Sequence, residues 1–138
     1  MPSTHVHPLD HATQTAREWL DTVAAEFGTD DARFVHRITR AWLHAVRDRL
    51  PVVEAAHFAA QLPELLRGIY YEGWDPVAVP IRCDAEQFLR RFADEAGVAV
   101  KDGPKILWAV STAFDERLSN WAKVLRLLPD DVRGLLKP

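Results

Sequence analysis

The chain has 138 residues, 17 Lys+Arg against 20 Asp+Glu for a formal charge of −3, 48% hydrophobic residues and one cysteine. That length suits one compact domain, which buries roughly two-thirds of its unfolded surface without covalent staples. Lone Cys83 excludes a disulfide framework and a Cys-rich zinc module. Near-half hydrophobic content with mean hydropathy −0.17 excludes intrinsic disorder. The mild negative charge argues against a dedicated nucleic-acid binder, which needs concentrated cationic surface. With no run of about 18 apolar residues and no charged-then-apolar leader, a cytoplasmic protein without membrane contact is expected.

In chain order, residues 1–12 read as a flexible tail carrying His5, His7 and His11. Neutral imidazoles at that spacing can hold zinc, copper or nickel, but Pro8 interrupts the segment and denies it fixed geometry, so neither a metal nor any other cofactor is expected. Thr15-x-x-Glu18 reads as a capping box opening a helix with Trp19, Leu20, Val23, Ala24 and Phe27 on one face, closed by Gly28. Asp30 and Asp31 start a longer helix to about Arg49, with Phe34, Ile38, Ala41, Trp42 and Ala45 at helical spacing. Pro51 and Pro63 suit the first turns of two shorter helices. Residues 74–82 then form an irregular crossing.

Beyond the crossing the pattern repeats. Asp84-x-x-Gln87 renews the capping box, and Phe88, Leu89, Phe92, Ala93, Glu95 and Gly97 follow Trp19, Leu20, Val23, Ala24, Glu26 and Gly28 at a shift of 69. Ile106, Ala109 and Ala113 follow Ile38, Ala41 and Ala45 at 68, and Leu128-Pro129 with Arg133-Gly134 follow Leu62-Pro63 with Arg67-Gly68 at 66. The drift requires small deletions between helices, where they cost little. An internal duplication is expected, with repeat one at 15–73 and repeat two at 83–138. Each copy is too small to bury a comfortable core alone. The expected fold is all-α, about eight short-to-medium helices in two pseudo-repeats packed as a single domain over residues 13–138.

The blocks Ala45-Val46-Arg47-Asp48-Arg49-Leu50-Pro51, Glu54-Ala55-Ala56-His57 and Leu66-Arg67-Gly68-Ile69-Tyr70-Tyr71-Glu72-Gly73-Trp74 carry a family resemblance. So does the closing stretch at 128–136. The chain resembles the domain of unknown function 2267 family from about Thr15 onward. That resemblance implies a bacterial, helical protein without an assigned biochemical activity, from a family often met near stress-associated genes.

Catalytic signatures are absent: no nucleophile elbow, no His-Glu-x-x-His pair, no phosphate loop and no dinucleotide fingerprint. A non-enzyme is expected, acting through a protein partner, with stress response as the context that the resemblance implies. Whether the chain pairs with itself as a homodimer is open. A sharper feature is the line Arg33, Arg37, Arg40, His44 and Arg47, which at ~100° per residue stays within about 40° of one direction. The apolar stripe of the same helix centres about 140° away, so the basic line is expected to face solvent. A nucleic-acid or phosphate-binding module using that line is the alternative function. A third reading is a small-ligand or partner groove lined by Tyr70, Tyr71 and Trp74, against a structural role in which that segment plugs the space between the copies. Arg67 and Arg133, each before a glycine, are expected to bind free carbonyls at helix ends.

Overall fold

The computed structural model describes residues 7–137. Among these the protein is all-α, with eight helices and no strand: α1 (His7–Phe27), α2 (Ala32–Asp48), α3 (Val52–Ala60), α4 (Glu64–Tyr71), α5 (Ala85–Ala96), α6 (Gly103–Arg117), α7 (Trp121–Arg126) and α8 (Asp130–Leu136). A 3-10 turn at Val100–Asp102 leads into α6. None of these helices is long and apolar enough to cross a membrane.

Most helix boundaries fall where the local chemistry places them. Asp31 caps α2 by accepting from the Phe34 N–H, and Asp84 with Gln87 closes a reciprocal capping box on α5. Pro51 and Pro63 stand at the N-caps of α3 and α4. Gly97, at φ +67°, supplies the left-handed turn that ends α5. At Gly103 an added Cβ would come within 2.5 Å of the Leu89 Cδ1 methyl, so the Leu89 side chain of α5 packs over the space that glycine leaves at the start of α6.

The first helix departs from the sequence expectation. It starts at His7, and Thr15 lies in its interior, so Thr15-x-x-Glu18 is not a cap and residues 7–12 are not a flexible tail. Pro8 lies in the first described turn of α1, where a missing N–H is tolerated, and does not interrupt the helix. Ala12 and Ala16 are buried one turn apart and extend the stripe that reaches Val23. Ser/Thr-x-x-Glu is a capping box only where the backbone before it is non-helical.

Two long pairings cross the molecule: α1 lies along α6, and α2 lies along α5. Between them α2 meets α6, where Trp42 donates from Nε1 to Ser111 Oγ at 3.0 Å. Around this point one core holds Trp42, Trp121, Tyr70, Phe58, Phe88, Phe92 and Phe114, all essentially inaccessible. The Trp42 ring stacks on Phe114 at 4.5 Å and tilts against Trp121 at 5.2 Å. Segment 74–82 has no helix, as expected, and is tied to the end of α2 by Ile81 N–H donating to Asp48 O at 2.6 Å and Arg49 Nη1 to Ile81 O at 2.9 Å.

The two arginines before glycines do bind carbonyls, though of the preceding helix and its exit turn. Arg67 donates from Nε to Ala59 O and from Nη2 to Leu62 O, bridging the end of α3. Arg133 donates from Nε to Leu125 O and from Nη2 to Leu128 O, at the end of α7. Each guanidinium fork thus adds a donor to a helix-end carbonyl that also accepts from the exit turn (Ala59 O from Leu62 N–H, Leu125 O from Leu128 N–H) and supplies one to the turn carbonyl beyond it.

Candidate functional site

The basic line of α2 is placed in one row by the helix, with Arg33 and Arg37 exposed, Arg40 half-buried and the carboxyl-terminal end turned inward. His44 and Arg47 are buried, at 6% and 4% exposure, which corrects the expectation of a solvent-facing stripe. The physical reason is the position of α2, which has α1, α4, α5 and α6 around it. A helix so surrounded buries its polar face as well as its apolar one, provided that each polar group finds a partner.

Those partners are specific. Arg47 donates from Nη1 to Tyr70 O at 2.8 Å and Glu72 O at 2.7 Å, and from Nε to Asp48 Oδ1 at 2.8 Å. Arg40 pairs with Glu72 at 2.5 Å, and Arg37 donates from Nε to Ala96 O at 2.6 Å at the end of α5. His44 sits between Ile69 O, 2.7 Å from Nε2, and Glu95 Oε2, 2.8 Å from Nδ1. The stripe therefore fastens α2 to α4 and α5. Arg33, at the start of the row, stays exposed.

Beside this row, α2 and α5 border a cleft of about 260 Å³ lined by Ala41, His44, Ala45, Asp48, Arg91, Asp94 and Glu95. Arg91 approaches Asp48 at 3.5 Å, so Asp48 stands between two guanidiniums. Sequence reasoning missed Arg91, Asp94 and Glu95 as neighbours of the basic line. No spacing within α2 signals them, since they lie on α5, which only tertiary packing sets against α2.

The aromatic candidates form a ladder, with Phe58 to Tyr70 at 5.4 Å, Tyr70 to Tyr71 at 5.2 Å and Tyr71 to Trp74 at 5.3 Å between ring centroids. Tyr70 is fully buried and donates its hydroxyl to Ala55 O at 2.9 Å, and burial pushes its phenol well above the usual range. It cannot line a groove. Tyr71 and Trp74 are partly buried against the core, where Trp74 Nε1 is buried without an acceptor. His5 lies outside the described residues, while His7 and His11 occupy the first turns of α1. No group of three His, Cys, Asp or Glu among the described residues is placed to hold a metal. Cys83 is half-buried, and burial raises its thiol above the ordinary value despite Arg49 and Arg91 nearby.

A different surface is apolar and open. On α3, Val52 and Val53 are 41% and 60% exposed, with Ala56 and His57 exposed beside them. Leu127, after α7, is 43% exposed. The two elements border each other, for Glu54, His57 and Phe58 share a small crevice with Asn120, Lys123, Val124 and Leu127.

The family model described as "Uncharacterized conserved protein (DUF2267)" matches residues 16–135. The chain belongs to this family. Its matched span covers all eight helices except the first turns of α1 and the end of α8. The blocks around Arg47, Arg67 and Trp74 that carry the resemblance are those whose side chains fasten α4 to α2 and α3. No curated protein matches the sequence.

Proposed function

We propose that this DUF2267 protein is a non-enzymatic helical module that works by protein–protein contact through the α3–α7 face, with a second copy of itself as the occupant. The observation that carries this reading is the exposure of Val52, Val53 and Leu127 on two elements that border each other; Leu9, Leu65, Val77, Val100 and Trp108 are also exposed, but outside those two elements. Glu54 and Lys123 flank the same surface with opposite charge. In a twofold contact each Glu54 could meet Lys123 of the second copy, so the patch is self-complementary. Against catalysis stands the chemistry of His44, whose two ring nitrogens both already face protein acceptors, leaving none to move a substrate proton. A phosphate-docking role for the α2 stripe is disfavoured for a related reason, since Arg37, Arg40, His44 and Arg47 are all bonded within the fold. Bacterial stress response and a cytoplasmic location remain part of the proposal on the family resemblance and the sequence alone.

We also infer that the chain arose by duplication. In support, α1 on α6 and α2 on α5 are the same pairing with the halves exchanged, and the Arg67 and Arg133 forks match at both acceptors with a shift of 66.

Sedimentation equilibrium tests the docking face. The wild type is expected to self-associate, and Val53→Glu combined with Leu127→Glu to give monomer with an unfolding free energy within about 0.5 kcal/mol of wild type, as surface changes should. A wild type that stays monomeric over the whole concentration range removes the second copy as occupant.

A further inference from the structure

Arg37, Arg40 and Arg47 of α2 are bonded within the fold, whereas another group of arginines is held less firmly. Where the crossing segment enters α5, Ile81, Arg82, Cys83, Gln87, Arg90 and Arg91 line an open cup of about 330 Å³. Three guanidiniums and one carboxamide face it, with no carboxylate in the lining. Arg82 is exposed and takes no partner among the described residues. Arg90 reaches only Glu86, one turn back on the same helix, and both side chains are about two-thirds exposed. Arg91 has Asp48 Oδ2 at 3.5 Å, beyond close hydrogen-bond distance, while the other oxygen of that carboxylate is bonded to Arg47 at 2.8 Å. Behind the Ile81 wall, Arg49 keeps Nε buried with no acceptor, while its Nη1 holds the Ile81 carbonyl.

Two further carboxylates beside the cup, Asp84 and Asp131, are engaged in building it. Asp84 accepts from the Gln87 N–H as the cap of α5, and Asp131 of α8 accepts from the Ala85 N–H at 2.9 Å. The Asp84 cap also positions Gln87, whose side-chain oxygen accepts from the Asp84 N–H at 3.0 Å and leaves its amide N–H₂ available as a donor. Opening the Arg90–Glu86 pair costs little, because exposed ion pairs contribute at most about 1 kcal/mol. The lining therefore offers planar, permanently charged forks and a neutral donor to one shared volume.

We propose that this cup binds a phosphate dianion, free or as the phosphate of a small ester, through Arg82, Arg90 and Arg91. Tetrahedral oxyanions suit several guanidinium forks at once, and Arg remains charged at any working pH. The site lies apart from the α3–α7 face and does not depend on the proposed docking.

Isothermal titration of the full chain with inorganic phosphate, and separately with glycerol 3-phosphate, tests the site at low ionic strength, where screening is least. The wild type is expected to saturate with at least one of them. Arg82→Gln and Arg90→Gln each weaken it about tenfold, as loss of one charge-assisted contact predicts. Neither side chain supports the core, so both variants keep the wild-type unfolding midpoint. Arg33→Gln, with the same charge change on exposed α2 surface, leaves binding unchanged. Equal affinity for the two ligands assigns recognition to the phosphate group, and tighter binding of the ester assigns it to a phosphorylated small molecule. No saturable binding of either ligand overturns the proposal, as does an Arg33→Gln loss equal to that of Arg82→Gln.

Discussion

At the α2–α5 seam the contacts are polar: Arg37 reaches the Ala96 carbonyl, His44 meets Glu95, and Arg91 approaches Asp48 over a cleft. At the α1–α6 seam the same kind of helix pairing is filled by rings. Trp19 packs edge-on to Phe114 at 5.5 Å, and Lys105 lies 5.8 Å over the Phe27 ring. Its polar contacts sit at the surface, where Arg117 bonds Thr22 Oγ1 and Glu18 O. Comparable helix geometry thus accepts either a bonded cation row or an aromatic seam. The aromatic seam draws on transfer from water, which tolerates small shifts. The cation row draws on directed bonds that fail if one partner is lost, so it fixes how α2, α4 and α5 are set against each other.

The residue common to both seams should matter most. Trp42 stacks on Phe114, which carries the α1–α6 contact, and stands on α2 in the polar seam. Trp42→Ala is expected to cost about 4 kcal/mol in urea unfolding, the range for deleting a buried large aromatic, with Ser111 Oγ left without its donor. A loss below about 1 kcal/mol would show that the seams do not share a core.

Next comes the polar seam alone. Arg47→Met removes the charge and keeps much of the bulk, leaving Tyr70 O and Glu72 O without the Nη1 donor and Asp48 with only the more distant Arg91. The expected cost is about 3 kcal/mol by chemical denaturation. Arg47→Lys should recover only part of it, since one ammonium cannot reproduce the fork. Full recovery by lysine would mean that charge, not direction, holds the seam.

The sequence made much of this visible. Asp31, Asp84, Gln87, Pro51, Pro63 and Gly97 each act through bonds to near neighbours or through their own backbone, and short-range chemistry is what a linear reading resolves. Thr15 failed because its motif is equally at home inside a helix, and what decides the matter is burial of Ala12 against distant elements. The basic line failed differently. Its spacing was read correctly, but which face meets solvent depends on how many helices surround α2, and periodicity within one helix cannot count them. The cup at Arg82, Arg90 and Arg91 needed the crossing segment to be folded against α5 before its charges converged.

The smallest expected effect separates the seams by sign. On the α1–α6 side, Glu26 is held above the ordinary carboxyl value of 4.5, first by a hydrogen bond to Glu116, then by burial and by the Glu116 charge. The folded state therefore binds that proton more tightly than the unfolded chain does. Its contribution to stability is fully present below 4.5 and is lost as pH rises through the raised folded-state value. Glu116→Gln removes the opposing charge, so the variant should match wild type in acid and exceed it slightly as pH rises, measured as the difference in thermal midpoint across a pH series. On the α2–α5 side Glu95 faces His44 instead of another carboxylate. Glu95→Gln should accordingly lower the midpoint near neutral pH. If both variants shift the midpoint in the same direction at neutral pH, the two seams do not differ in the way their charges are arranged.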